Sequence, residues 1–171
     1  MARWKLPAHL ETERLVIRPY LSEDRQAFVD LLTEGEAPRR LGIPPERRSV
    51  EEASGLFDGI RASYETDQPI FLLAVTDRES SQFLGSCGLA PQDVPGTAEC
   101  FYAILPEYRE SGLATEAVRE LFSYAFTELQ LTRIVAFVFE ENSASQHVVE
   151  KLGMRCEGRE KREIFPEEGL V

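Results

Sequence analysis

The chain has 171 residues and a formal net charge of −11, with 43% hydrophobic residues, enough for one domain with a sizeable core. That acidic balance argues against a general nucleic-acid binder, which needs a basic face, and fits an acidic soluble surface or a cationic partner. No apolar run of about 18 residues could span a bilayer and no signal-like segment opens the chain, so a soluble, cytoplasmic protein without membrane contact is expected.

In chain order the pattern predicts a strand over 13–18, helices over 22–34 and 49–64, and strands over 70–76, 82–89 and 98–105. A helix over 112–128, a strand over 132–139, a helix over 142–152 and a strand over 154–163 follow. Ser49 and Glu52 have the spacing of a capping box for the second helix. Pro91 to Gly96 marks a hairpin turn. Helix 112–128 has the clearest period, with Ala114, Ala117, Val118, Leu121, Phe122 and Ala125 on one face. Asn142 or Ser143 caps helix 142–152, and Gly153 stops it. Strands first cluster and then alternate with helices, so the expected architecture is α/β (α+β), a mixed sheet with helices on its faces.

Three cysteines, Cys87, Cys100 and Cys156, show neither CxxC nor metal-ligand spacing, and reduced, mostly buried thiols are expected. No nearby His supports a thiolate nucleophile. No metal site is expected.

The most informative segment is Tyr108 to Ala117, where an apolar run meets a helical pattern through Arg109-x-x-Gly112-x-Ala114. Small residues at a helix start let an anion approach unpaired amides, and Arg109 can add a charged donor. An ordinary strand-to-helix turn has the same signature. No Gly-Lys-Ser/Thr follows and no Gly-x-Gly-x-x-Gly is present, so a P-loop ATPase or dinucleotide fold does not fit.

With Asn142-x-x-Ser145 and Glu150-Lys-Leu-Gly-Met154 added, the chain resembles the GCN5-related N-acetyltransferase (GNAT) superfamily, most closely its RimJ/RimL-like branch. The opening Leu10-Glu-Thr-Glu-Arg-Leu-Val-Ile-Arg-Pro19 is similar to that branch's first strand, and the resemblance spans nearly the whole chain. It implies a mostly antiparallel, twisted sheet with a splayed central strand pair. It also implies acetyl-CoA as cosubstrate, with the pantetheine arm beside Tyr102, Ala103 and Ile104. The pyrophosphate would lie on Arg109, Glu110, Ser111, Gly112, Leu113 and Ala114, with Asn142 reaching the arm from the other side. For Asn142 a helix cap is an equal reading, and both can coexist.

The implied reaction is direct attack of a primary amine, a protein N-terminus or a small molecule, on the thioester in a ternary complex. Glu99 is the candidate base, with a solvated strand-end carboxylate as its bland alternative. Many members carry a Tyr acid on the helix after the fifth strand; here Val149 stands at that place. Ser145, one turn earlier, is the candidate contact to the thiol, against a small residue chosen for packing. His147 is expected to face away from Ser145, His9 has no role, and Trp4 is expected to pack. Acceptor specificity is expected from Glu34–Ser49 and Asp67–Ile70, which carry no readable motif.

The branch usually adds a strand after the sixth, whereas this chain reaches Val171 where that strand should begin. A shortened chain, an early end to the sheet, or an edge completed by another chain all follow as options, and the last makes a homodimer an expectation. The competing function is a non-catalytic acyl-CoA-binding module; a nucleotide-phosphate binder would need a Lys or metal-binding carboxylate near Gly112.

Overall fold

The computed structural model describes residues 4–159. Six strands form one sheet in the order β1-β2-β3-β4-β5-β6. They are β1 (Leu10–Glu11), β2 (Leu15–Arg18), β3 (Leu72–Asp77), β4 (Phe83–Pro91), β5 (Thr97–Ile104) and β6 (Arg133–Val135). Neighbours run antiparallel from β1 to β5; only β5 and β6 are parallel. The helices are α1 (Arg25–Thr33), α2 (Ala37–Arg40), α3 (Val50–Ser63), α4 (Leu113–Thr127) and α5 (Ser143–Lys151).

Strand alternation sends side chains to two separate cores. Leu15, Ile17, Leu73, Val75, Cys87, Leu89 and Cys100 face α4, whose Ala117, Leu121 and Ala125 are buried against them. Ala74 and Phe83 lie in the other cluster with Phe28 and Leu32 of α1 and Phe57 and Ile60 of α3. The apolar period of α4 therefore does what its spacing predicts, and helices cover both faces of the sheet. Trp4 meets Phe71 edge-on with ring centres 6.0 Å apart, a packing role.

The elements differ from the expected ones where long-range pairing decides. The helix expected over 22–34 opens as a 3-10 turn at Ser22–Asp24 before α1 begins. Asp24 accepts from the Leu21 amide at 2.7 Å and takes Arg18 at 2.6 Å, so its buried carboxylate organises that turn. Ser49 Oγ accepts the Glu52 amide at 3.1 Å, as a cap should. α2 was not expected; Pro38 in its first turn supports it. The strand expected over 132–139 is cut to Arg133–Val135. Residues 154–159 form no strand: Met154, Cys156 and Gly158 alternate with Arg155, Glu157 and Arg159, a period-two pattern that finds no ladder among the described residues. Residues 160–163, and the strand that would follow them, lie outside the described residues.

β4 and β5 approach so closely at Gly85 that a Cβ there would stand 2.2 Å from the Ala103 carbonyl oxygen and 2.9 Å from Ile104 Cα. Gly85→Ala is expected to cost about 3 kcal/mol, the upper end of overpacking, and to lower Tm by roughly 6–12 °C. A thermal melt of the variant that coincides with wild type would contradict this.

Candidate active site

Pairing parity decides which backbone groups of β5 are available. Leu105 N donates to Leu84 O at 2.9 Å and Gln92 N to Thr97 O at 3.0 Å. Odd-numbered residues of β5 thus exchange bonds with β4, and even-numbered ones turn their N–H and C=O to the opposite edge. Along Thr97–Glu99 that edge is paired with Arg133–Val135 of β6. Beyond this point β6 has ended while β5 continues to Ile104. The two strands part, and Tyr102 and Ile104 present backbone groups to an open edge. Ala103, opposite Ser86, uses its own in the β4 ladder.

The open edge leads into the Arg109–Ala114 turn. Arg109 Nε donates to the Ile104 carbonyl at 2.9 Å, leaving its terminal nitrogens without a hydrogen-bond partner among the described residues. Burial, followed by the neighbouring Arg40, lowers its pKa from the usual arginine value. Glu110 and Gly112 adopt left-handed φ values of 61° and 80°, and this reversal aims successive amides outward. Ser111 Oγ donates to the Tyr108 carbonyl at 2.6 Å. The first bond within α4 is Glu116 N to Gly112 O at 3.1 Å. Amides of Leu113, Ala114 and Thr115 precede it, and no side chain caps them. Glu110, Ser111 and Gly112 are exposed and Leu113 and Ala114 half-buried, so an anion has access to this cradle.

α5 forms the other wall. Buried Asn142 caps it: Oδ1 accepts the Ser145 amide at 3.2 Å and Nδ2 donates to Ser145 Oγ at 3.0 Å. With Oγ already accepting, the Ser145 hydroxyl keeps its hydrogen for another partner. The Tyr102 phenol spans the opening and donates to the Ser145 carbonyl at 3.3 Å. Burial pushes that phenol up to about 12, so it stays protonated at neutral pH. His147 is exposed and Val149 half-buried.

Glu99 lies three residues before Tyr102, about 10 Å along β5, and its side chain is on the opposite face of the sheet. It is half-buried, and Gln92 Nε2 donates to it at 3.2 Å. The structure thus gathers Tyr102, Asn142 and Ser145 in one place and sets Glu99 apart. Cys87 and Cys100 are buried, and desolvation pushes both thiols up to about 12, which removes them as nucleophiles. Cys156 is exposed, so the free thiols are mostly buried, as expected. No group of His, Cys, Asp or Glu that could hold a metal occurs among the described residues. No helix among them is long and apolar enough to cross a membrane.

Three contributors were not found by sequence reasoning. Nothing in the sequence around Tyr102 marks its side chain, since the resemblance uses only its backbone. α2 places Arg39 3.7 Å from Glu141, so the α1–α3 connection lines a small cavity with Phe139 and Asn142 at the head of α5. Arg14 and Glu116 form an ion pair at 2.6 Å beside the Arg109–Ala114 turn; their only sequence signal is membership of the two resembling segments.

Comparison with known proteins agrees with this geometry. Residues 14–155 match the family model described as acetyltransferase (GNAT) domain. The chain is 31% identical over 150 residues to the uncharacterized N-acetyltransferase YoaA of Bacillus subtilis, covering 87% of this chain and 84% of that one. It is 40% identical over 156 residues to the spermidine N(1)-acetyltransferase of Escherichia coli, covering 91% and 69%. The crystal structure of a GNAT-family acetyltransferase from Bacillus anthracis superposes with a TM-score of 0.77 at 24% identity, covering 88% and 85%. With an opened strand pair, an uncapped helix start after it and a family match over most of its length, the chain belongs to the GNAT family and is an enzyme that transfers acetyl groups.

Proposed function

We propose that the protein moves the acetyl group of acetyl-CoA to a primary amine by direct attack in a ternary complex, as a single-domain member of the RimJ/RimL-like branch. The observation that carries this reading is the open edge of β5 running into the uncapped amides of Leu113, Ala114 and Thr115. An arm with alternating amides suits the Tyr102 and Ile104 backbone, and a diphosphate suits the turn and the Arg109 guanidinium.

The chemistry assigns the remaining roles. The amine must be neutral to attack, so its ammonium proton passes to Glu99, directly or through water. A C–N bond forms as the C–S bond breaks; the departing thiolate takes a hydrogen bond from the Ser145 hydroxyl and receives the second proton shed by the attacking nitrogen, so that amide and CoA thiol leave. Half-buried Tyr102, protonated and bonded to the same residue, keeps α5 at that distance. A net charge of −11 favours a cationic acceptor, such as a polyamine or a peptide N-terminus, and the similarity to a spermidine N(1)-acetyltransferase supports that class.

Thiol release from acetyl-CoA, measured with spermidine, peptides with free N-termini and aminoglycosides as acceptors, tests the reading. Release dependent on one acceptor class is expected. Tight CoA binding without release for any of them would instead favour a binding module, and no CoA binding would sink the site assignment.

A further inference from the structure

We propose that Arg14 is a positioning residue of the cofactor turn, which cancels the charge of Glu116 beside the first amides of α4 and holds Ser111 in place. This rests on the CoA reading above. Glu116 sits in the first turn of α4, where a bare carboxylate would occupy the positive end of the helix and repel an arriving diphosphate. The structure directs that carboxylate to the turn between β1 and β2 and saturates it. Oε1 accepts from Thr12 Oγ1 at 2.5 Å and from the Arg14 amide at 3.0 Å. Oε2 accepts from Arg14 Nε at 2.7 Å and lies 2.6 Å from Nη2, so the guanidinium closes on this one oxygen as a charge-assisted pair. Burial alone would raise the Glu116 pKa, but the bonds from Thr12 and Arg14 outweigh it and hold the carboxyl below its usual range. The group is therefore ionised at neutral pH and needs its counter-ion.

The same guanidinium reaches past Gly112. Arg14 Nη1 donates to the Ser111 carbonyl at 3.0 Å, and Nη2 lies 3.6 Å from where a Gly112 Cβ would stand. Ser111 C=O and Gly112 N–H belong to one planar peptide, so holding the carbonyl towards Arg14 directs the Gly112 amide away from it. One side chain from the first hairpin, 97 residues away in sequence from Ser111, thus sets both the charge and the orientation of the turn. An exposed ion pair alone does little for stability; this one is placed where an anion is expected to bind.

Calorimetric titration of CoA into the full chain, with thermal melts in parallel, tests the role on Arg14→Met and Arg14→Met/Glu116→Gln. Unmasking Glu116 in R14M is expected to weaken CoA binding about fivefold, and the double variant, which removes the unmasked charge but leaves Ser111 unheld, to recover the part of that loss owed to charge, binding about twofold tighter than R14M. A purely structural role makes the double variant bind no better than R14M. That result, or an R14M Kd within 1.5-fold (roughly the scatter of such titrations) of wild type, overturns the proposal. If R14M does not fold, Arg14→Gln carries the same expectations. Wild-type protein without affinity for CoA overturns the cofactor reading and this role with it, an outcome recognised without any substitution.

Discussion

Glu99→Gln is expected to lower kcat for acetyl transfer by about 10²-fold or more, the usual contribution of a general base, while the Kd for CoA stays within about twofold. The substitution keeps the size of the side chain and its capacity to bond Gln92, so β5 should be undisturbed. What it removes is the acceptor for the proton that an ammonium must shed before attack. Aliphatic amines titrate near pH 10, and raising the pH supplies the neutral amine without help. The deficit of the variant should therefore shrink as the assay moves from pH 7 towards pH 10. A variant as fast as wild type at pH 7, or a deficit independent of pH, would return Glu99 to the role of a strand-end carboxylate. Its place on the face opposite Tyr102 and Ser145 gives the test its point: the face turned to α1 and α3 would receive the amine, and the open edge the thioester.

Gly112→Val should weaken CoA binding by about 30- to 100-fold, or roughly 2–3 kcal/mol. The φ of 80° at this position lies in the left-handed region, which a β-branched residue adopts only under strain. There is space for the side chain, since the nearest atom to an added Cβ is Arg14 Nη2 at 3.6 Å. The expected damage is therefore to the backbone. A backbone that relaxes away from this conformation turns the first amides of α4 off the anion. Titration calorimetry with CoA is the measurement, and a variant binding within threefold of wild type would remove the turn from the site (threefold is about 0.6 kcal/mol, small beside the expected loss). Acetyl transfer should fall through KM for acetyl-CoA first, because the acceptor side and Glu99 are untouched.

Much of this architecture is legible in the primary structure because it rests on local signals. The face of α4 is written in a 3.6-residue period, the Asn142 cap in a polar residue before a helical run, and the β4–β5 hairpin in Pro91 to Gly96. The candidate anion turn is equally local: small residues at 112 and 114 and the helix start after them are neighbours in the chain. Other features have no such signature. β1 has two residues and α2 four, too short for any period to emerge. The apolar run 134–139 has strand composition, yet only Arg133–Val135 pairs, because the chain leaves the edge of β5 after Val135 although β5 itself continues to Ile104. Residues 154–159 alternate like a strand and have no ladder to join among those described.

By itself, then, the order of residues determined the helices and hairpin with clear periods and the place where an anion can meet a helix start, since each depends on neighbours within a few positions. Tertiary structure alone decided that β5 and β6 part after Glu99 and that Tyr102 crosses to Ser145. It also decided that Arg14 answers Glu116 across 102 positions of chain. Such contacts follow from strand pairing and packing between distant segments, which no local pattern encodes.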